Sequence, residues 1–493
     1  MIIMKNFIAY DFETTGRDAR FDQVLQAGFI IYDQNFNELR KLNIKSRLNP
    51  DTVPSINALK VNKLNISDIL SEKDSYYEMT LKIHKLLSEF KNSYFVGFNS
   101  INFDEEFFRQ ILWEHFLFPY LTNTNGNSRL DILNFATMVH AFRNNSINVN
   151  KNDSGKINFK LENLAASNDF NFQNAHEAIA DVEVTMKLMK MLTERNSDLF
   201  KDFTENSSTK KVENRMISKK IFTLHNYLFN SHRVYLVKHL IKHPVYKSQL
   251  IGFDLKYDPS ELIKYDHNNL YEIYKNKSFF RKIKINKQPT ILDKKYARSM
   301  ELYSEFSENE IELKNQQLGN KQFLENLDIV LKRESEEYME NKSQEIPYEE
   351  ETIYSKNLNY KDSFIMKEFH NENWDKKWIF AERFLDPRLR FFAARHIYRN
   401  QPTELPRKIF SLLHKKISER LLSLENKNFT TIPAAMEEVD TLAFKIENKE
   451  ESFKMKDQIY QYNIYINFLN DYYSDSNPKP ILFDESLSKR LFG

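Results

Sequence analysis

Apolar and polar positions along residues 6–195 repeat with two different periods. Phe7–Tyr10, Val24–Tyr32 and Leu39–Ile44 are short apolar or alternating runs joined by short polar turns, which predicts an antiparallel meander of strands. Tyr76–Phe90 has apolar residues at helical spacing and predicts an amphipathic helix. Because strand-like and helix-like segments are mixed, we expect an α/β layer fold. The remaining predicted elements are a strand at Tyr94–Phe98 and helices at Asp104–Phe118, Leu161–Ala166 and Ala175–Leu192.

The pattern changes twice after residue 195. Residues 200–350 contain the alternating runs Arg233–Val237, Gln249–Leu255 and Lys282–Ile285, which predict a β-rich domain, and a helical pattern at Lys321–Tyr338. Acidic stretches at 334–337 and 345–351 predict a linker, and the pattern after it is helical. The predicted domains are therefore 6–195, 200–350 and 354–490.

Composition says more about the number of domains and the cellular compartment than about the chemistry. The chain has 493 residues, more than one core usually holds, and this favours two or three domains. Lys and Arg total 71 against 69 Asp and Glu, so an anionic partner must meet a locally basic surface. The absence of cysteine excludes disulfides and thiolate metal sites. Without a signal sequence or a long apolar run, we expect a cytoplasmic protein with no membrane association.

Two acidic residues interrupt the first apolar run, FIAYDFETTG. Asp11 and Glu13 are two residues apart on a predicted strand, so their side chains point to the same face. Burying two neighbouring carboxylates without a counter-charge is costly, and a divalent cation removes that cost because it prefers carboxylate oxygens. Taken alone, the pair also fits a solvent-exposed turn.

Two later segments carry the other candidate catalytic residues. Asp104 stands where a predicted strand gives way to a helix, although alone it also fits an ordinary N-terminal helix charge. His176 and Asp181 are five residues apart, so both reach one site only if His176 lies in the loop before the helix. Histidine is the natural general base near neutral pH, but a lone loop histidine is also common.

In this order, the three segments resemble the DEDD exonuclease superfamily in its histidine-containing branch, whose fold is ribonuclease-H-like. The resemblance implies that Asp11, Glu13, Asp104 and Asp181 bind two Mg²⁺ ions, with Mn²⁺ as a possible substitute. It also implies that His176 activates the attacking water and that Glu13 is catalytic. Two metal ions a few Å apart stabilise the attacking and leaving oxygens of an in-line phosphoryl displacement.

Most of the chain is similar to the bacterial exonuclease I family, which digests single-stranded DNA from its 3′ end. The resemblance implies a Src-homology-like β-barrel domain and an all-α C-terminal domain after the exonuclease domain. It also implies Mg²⁺-dependent release of mononucleotides, in DNA repair and recombination. The similar segments are 97–106, Ser128–Asp131, Phe159–Leu164, 174–181, Ile285–Pro289 and 388–402.

Basic and aromatic residues are the candidates for DNA contacts. Arg388, Arg395 and Arg399 share one predicted helix face, which either follows phosphates or is a solvated charged surface. Phe103 beside Asp104 is placed to stack on bases. The resemblance implies a further contact at Lys160, where the family commonly has arginine, although lysine lacks the bidentate fork. The predicted substrate contacts are Glu13, Asn99, Phe103, Lys160, Arg388, Arg395 and Arg399. Asp131, a further acidic residue, is expected to cap a helix or support the site from behind.

The expected partner is single-stranded DNA, and the family resemblance implies an encounter with single-stranded-DNA-binding protein. We expect a monomer whose second and third domains close over the nuclease groove. Two alternatives stay open: a 3′→5′ exoribonuclease of the same superfamily, and a non-catalytic single-strand-binding protein. Residues that sense a 2′-hydroxyl cannot be picked from one sequence. The presence of all five catalytic candidates disfavours the non-catalytic protein.

Overall fold

The computed structural model describes residues 5–151, 155–172, 176–341, 347–355, 358–425, 427–447 and 456–493. Its first region is a five-stranded sheet of order β3-β2-β1-β4-β5 with helices on both faces. The strands are β1 Phe7–Thr14, β2 Val24–Tyr32, β3 Glu38–Lys45, β4 Tyr94–Gly97 and β5 Ser128–Asp131. The α-helices are α1 Ile56–Asn62, α2 Ile66–Leu70, α3 Tyr76–Ser88, α4 Asp104–Glu114, α5 Ile132–Phe142, α6 Leu161–Ser167, α7 Ala178–Arg195, α8 Ser197–Thr204 and α9 Thr209–Lys219.

The first three strands form the predicted antiparallel meander, and β4 and β5 then add in parallel beside β1. Alternation along β1 divides the core in two. Ile8, Tyr10 and Phe12 pack with α3 and α4, whereas Phe7 and Ala9 pack with α5 and α7. The odd-numbered positions of β1 therefore face α7.

Helix α4 ends at Glu114, four residues before the predicted end at Phe118. The backbone of Phe116 is left-handed, with φ of 59°, and this conformation stops the helix. The Leu117 N–H then donates to the Leu112 carbonyl at 2.8 Å, which satisfies one of the last carbonyls of the helix.

The second region is an antiparallel five-stranded sheet of order β10-β6-β7-β8-β9. Helices α10 and α14 pack against each other and cover the apolar core of this sheet. The strands are β6 Ile221–Leu228, β7 Ser231–Lys242, β8 Gln249–Asp254, β9 Phe280–Lys284 and β10 Thr290–Leu292. The α-helices are α10 His267–Asn276, α11 Lys294–Arg298, α12 Glu301–Ser304, α13 Glu308–Gln317 and α14 Lys321–Glu340.

The third region is helical throughout its described residues. Its core is continuous with the first region, because Leu25, Leu48 and Trp113 belong to the same apolar cluster as Phe392 and Tyr462. No helix in the described part of the chain has the length and apolarity needed to span a bilayer. The α-helices are α15 Tyr360–Asn371, α16 Trp374–Ala381, α17 Pro387–Asn400, α18 Arg407–Leu421, α19 Ile432–Glu447, α20 Lys456–Ser474 and α21 Glu485–Phe492.

The acidic stretches that predicted a linker are not solvated spacers. Residues 334–337 lie inside α14. The side chain of Glu350 is buried and pairs with Arg395 and, at 2.8 Å, with Arg420. The interpretation of 345–351 as a linker is therefore corrected for its described residues, 347–351. Glu350 meets buried arginines, and Glu349 and Glu351 pair with the partly exposed Lys416 and Arg20.

Candidate active site

The end of β1 brings three carboxylates together. Asp11 and Glu13 point to the α7 side of the sheet, where Asp181 lies in the first turn of α7. One carboxylate oxygen from each of the three lies within 4.8 Å of the others. Gly28 pairs with Asp11 and permits this approach, because a Cβ on Gly28 would lie 2.8 Å from the backbone of Ala178. The period of the strand and one glycine therefore bring α7 against the acidic pair.

A fourth carboxylate enters from the other side of the strand end. Asp104 is the first residue of α4, and its Oδ1 accepts a hydrogen bond from the Phe12 N–H at 3.1 Å. The side chain is buried. The Asp104 charge also contributes to the raised pKa values of Asp11 and Glu13, which indicates that the four carboxylates share one electrostatic environment.

The pKa values of all four carboxyl groups are raised, and burial is the main cause. Burial and the neighbouring carboxylates raise the pKa of Asp11 well above its ordinary value and that of Glu13 to about 8. Burial raises the pKa of Asp104 to about 8 and that of Asp181 to about 7. Glu105, the next residue along the chain, forms ion pairs with Arg109 at 2.8 Å and Arg129 at 3.2 Å.

The four carboxylates have the chemistry of a divalent-metal site. Among the described residues, no lysine or arginine forms an ion pair with any of them. The Oδ1 atom of Asp181 is buried and has no hydrogen-bond partner. Hard oxygen donors that converge without an internal counter-charge match the preferences of hard divalent cations.

His176 lies in the turn before α7, which is the arrangement its spacing from Asp181 requires. Its backbone is left-handed, with φ of 66°, and its N–H donates a hydrogen bond to the Asp181 carboxylate. The imidazole is 40% exposed, and its Nε2 lies 4.0 Å from an oxygen of Glu162. Asn174 and Ala175 of the same motif lie outside the described residues. The structure thus provides a partly solvated histidine beside the carboxylate cluster.

A cleft of about 1160 Å³ is lined in part by Glu13 of the carboxylate cluster. Glu13, Thr14 and Arg17 line one wall, and the opposite wall consists of the loop 427–430 and the start of α19. A second cavity of about 320 Å³ shares Arg17 and Phe103 with this cleft. Three aromatic rings in mutual contact join the walls: Phe21, Tyr348 and Phe429.

The other predicted substrate contacts differ in how exposed their side chains are. Phe103 is half-buried, lines both cavities and contacts Phe107. Asn99 is exposed, and its N–H donates to Asp131 at 2.9 Å. Lys160 precedes α6, and its side chain is 70% exposed. Asp131 caps α5 by accepting from the Leu133 N–H at 3.1 Å, as one of the two expected roles requires.

The prediction that one face of α17 is a solvent-exposed, phosphate-binding surface is wrong. Arg388, Arg395 and Arg399 do share a helix face, but the side chains are buried and form ion pairs. Arg388 pairs with Asp386 at 2.7 Å. The longer-range partners are Glu114, 2.7 Å from Arg395, and Asp51, 2.7 Å from Arg399. These carboxylates come from the first region, so the arginines join two regions instead of meeting solvent.

Sequence reasoning missed Arg17, which lines both cavities and stands four residues after Glu13. Its proximity in sequence to the acidic pair was the available signal. A short polar turn after a strand, however, has no periodicity that predicts which side chain faces a cleft.

Comparison with known proteins finds similar exonucleases. The family described as Exonuclease (RNase_T) matches residues 8–189. Exodeoxyribonuclease I of Buchnera aphidicola subsp. Schizaphis graminum is 33% identical over 222 residues, 44% of this chain and 45% of that protein. The Haemophilus influenzae protein of the same name is 30% identical over 270 residues, 52% of this chain and 56% of that protein. This chain resembles bacterial exodeoxyribonuclease I. The matches span about half the length of these relatives.

Solved structures extend the likeness to the exonuclease I fold. Escherichia coli exonuclease I in complex with a dA16 oligonucleotide has a TM-score of 0.79 at 21% identity, covering 94% of this chain and 100% of that one. The enzyme from Methylocaldum szegediense has a TM-score of 0.80 at 21% identity, covering 94% of this chain and 99% of that one. The predicted fold class is confirmed: a ribonuclease-H-like α/β domain, a Src-homology-like β-rich domain and a helical domain. The exact domain boundaries stay predictions.

Proposed function

We propose that this chain is a Mg²⁺-dependent exodeoxyribonuclease that hydrolyses single-stranded DNA from its 3′ end and releases mononucleotides. The observation that carries the proposal is a cluster of four carboxylates, two buried and two half-buried, next to a histidine. Among the described residues no lysine or arginine pairs with this cluster, and its Glu13 lines the cleft. The relatives named exodeoxyribonuclease I support DNA as the substrate. A role in DNA repair and recombination is part of the proposal.

The residues that would hold the metal ions are Asp11, Glu13, Asp104 and Asp181. When bound, two divalent ions stabilise the attacking and leaving oxygens of the phosphodiester. The chain orients two of these ligands in advance. Asp104 is fixed by the Phe12 N–H, and Asp181 by the backbone N–H of His176. Orientation of this kind lowers the reorganisation needed during the reaction.

His176 is the proposed general base. Its imidazole is exposed to the solvent that supplies the attacking water, and its backbone is tied to Asp181. Glu162 lies 4.0 Å from Nε2, close enough to stabilise the imidazolium once the proton has been taken. General-base catalysis of this kind contributes roughly 10²- to 10⁴-fold in rate.

The cleft supports a single strand as the bound form. Phe103 provides an aromatic surface for a base, and a strand in the cleft would run between the first and third regions. We propose that the aromatic contact of Phe21, Tyr348 and Phe429 closes one end of this passage. One structural neighbour is a complex of SSB and exonuclease I with an inhibitor. We propose the same class of partner for this chain. We also propose that the chain acts as a monomer.

The test uses 5′-labelled oligonucleotides as single-stranded DNA, blunt duplex DNA and single-stranded RNA, each with and without Mg²⁺. Wild type should shorten single-stranded DNA from the 3′ end only when Mg²⁺ is present. His176→Asn should be slower by at least about 100-fold. The matched control, His267→Asn, changes an exposed histidine of α10 and should behave as wild type. Preference for RNA would move the substrate to the exoribonuclease class, and binding without cleavage would support the non-catalytic alternative.

A further inference from the structure

The turn after β1 is organised around one half-buried carboxylate, that of Asp22. Asp22 accepts hydrogen bonds from the Thr15 hydroxyl at 3.0 Å and from the Asp18 N–H at 2.9 Å. The Thr15 N–H donates to the Gln23 carbonyl at 2.9 Å, which closes the loop. A Cβ at Gly16 would lie 2.4 Å from the carboxylate oxygens of Asp22, so a larger residue there would displace the Asp22 side chain. The loop therefore holds its shape without a ligand.

This loop presents Arg17 to the cleft. The Arg17 side chain is exposed and lines both the large cleft and the smaller cavity. Among the described residues it has no ion pair and no side-chain hydrogen bond. Arg20, in the same loop, is different: it pairs with Asp18 and, at 2.8 Å, with Glu351. Within the described residues, the charge of Arg20 is therefore paired and the charge of Arg17 is available to a ligand.

The acidic residues that line the smaller cavity beside Arg17 are compensated by other groups. Asp18 and Glu351 pair with Arg20, and Glu106 pairs with Lys287. The buried carboxylate of Glu350 pairs with two arginines, Arg395 and Arg420. A phosphate that enters between the two cavities therefore meets an arginine whose charge is not used elsewhere. Arginine binds phosphate with a planar, bidentate fork.

We infer that Arg17 is a substrate-positioning residue that binds one backbone phosphate of the strand, next to the phosphate held at the carboxylate cluster. This inference rests on the proposed function and deepens it. Glu13 and Arg17 both line the large cleft and are four residues apart in the sequence. The contact fixes the register of the strand relative to the cluster.

The first experiment compares Arg17→Gln and Arg17→Lys with wild type in steady-state cleavage of single-stranded DNA. Loss of a charge-assisted contact should raise KM by about 10-fold or more and change kcat little. Arg17→Lys should recover part of the loss. The matched control is Arg143→Gln, an exposed arginine outside both cavities, which should match wild type. Unchanged KM in Arg17→Gln would overturn the inference.

The second experiment locates the phosphate. Oligonucleotides carry one neutral methylphosphonate at successive positions, and binding is followed by fluorescence anisotropy in chelator. At one position, wild type should lose about as much affinity as Arg17→Gln loses with the natural strand, and the variant should lose nothing further. Additive losses at every position would contradict the contact.

The two experiments separate this inference from the proposed function. If wild type cleaves no substrate but shows the non-additive position, the Arg17 contact stands and the nuclease proposal fails. If wild type cleaves single-stranded DNA and Arg17→Gln binds as wild type does, the nuclease proposal stands and the Arg17 contact fails. Thermal unfolding of each variant verifies that the exposed substitution leaves the fold intact.

Discussion

Two clusters of buried or half-buried acidic residues differ in their counter-charges. In the described part of the chain, the metal-site cluster forms no ion pair with a lysine or arginine, whereas the second cluster, the arginine hub, pairs with guanidinium groups from the helical region. The metal-site cluster consists of Asp11, Glu13, Asp104 and Asp181. The arginine hub consists of Asp51, Glu114, Glu350, Arg395, Arg399 and Arg420.

The pKa values of the acidic residues differ between the two clusters. In the hub, burial acts to raise the pKa of Asp51 and Glu350, but the arginines outweigh it and lower both to about 2. Glu114 is an exception, because burial raises its pKa in spite of Arg395. In the metal-site cluster, burial raises the pKa of Glu13 and Asp104 to about 8. A buried acid that has its cation is part of the architecture, and one that lacks it is available to an external ion.

The largest expected effect comes from removing one acid of the metal-site cluster. Asp181→Asn keeps the shape but removes a charged ligand, so activity on single-stranded DNA should fall by more than about 100-fold. In chelator, its melting temperature should equal or exceed that of wild type, because a repulsive charge is gone. Initial rates and thermal unfolding measure the two effects.

The control for this variant is Asp198→Asn, an exposed acid of α8 whose side chain is 66% accessible. It should leave both rate and melting temperature unchanged. A large loss of stability in metal-free Asp181→Asn would mean that the cluster is architectural, and the distinction between the two clusters would disappear.

The next effect comes from breaking the hub. Arg395→Met leaves Glu114 without its buried ion-pair partner and Glu350 with Arg420 alone, and should lower the free energy of unfolding by about 3–5 kcal/mol. Arg383→Met is the matched control: its ion pair with Glu368 is half-exposed and should be worth no more than about 1 kcal/mol. Urea unfolding compares them. Equal stability, with weaker DNA binding in Arg395→Met, would restore the surface role predicted from the sequence.

The two clusters should also respond to pH in opposite directions. Unfolded carboxyl groups titrate near pH 4. Since the folded pKa of Asp104 is raised to about 8, metal-free protein should lose stability as pH rises from about 4 to about 8. Since the folded pKa of Asp51 is lowered to about 2, the hub should lose its contribution as pH falls from about 4 to about 2.

Melting temperatures from pH 5 to 9, in chelator and in Mg²⁺, test the alkaline half of this prediction. Mg²⁺ should remove most of the loss on the alkaline side because it replaces the protons. The same slope with and without Mg²⁺ would place the titrating groups elsewhere.

The smallest effect is expected at Lys160. Its side chain is 70% exposed and lies 3.6 Å from Glu162, so Lys160→Ala should leave stability unchanged. If it contacts phosphate, the slope of log K against log salt should become less steep by about 0.7. Anisotropy at several KCl concentrations measures the slope, with Lys190→Ala, an exposed lysine of α7, as control. Identical slopes would remove Lys160 from the interface.

Local periodicity accounts for what the sequence predicts well. The meander follows from alternation of apolar residues and α7 from their helical spacing, and the shared face of Asp11 and Glu13 follows from the period of β1. β5, in contrast, is a four-residue strand that contains Arg129, and periodicity does not mark it. Arg129 is buried because it meets Glu105 of α4, a contact between residues distant in the sequence.

The arginines of α17 show the same limit. Helical spacing correctly indicates that Arg395 and Arg399 share a face, but it does not indicate whether that face meets solvent or protein. The answer depends on Asp51, hundreds of residues earlier in the chain. Arg17 is the converse case. Its charge stays available because the acidic residues that line the smaller cavity beside it pair with residues from all three regions. Pairing over such distances is a property of the tertiary structure.

The most direct test of the difference between the two clusters is a metal titration. Isothermal calorimetry with Mg²⁺ at pH 8, repeated in two buffers of different ionisation enthalpy, measures the number of ions bound and the protons released. Wild type should bind two ions with release of protons, and Asp181→Asn should bind fewer or bind weakly. The absence of saturable binding in wild type, or identical binding by Asp181→Asn, would contradict the account.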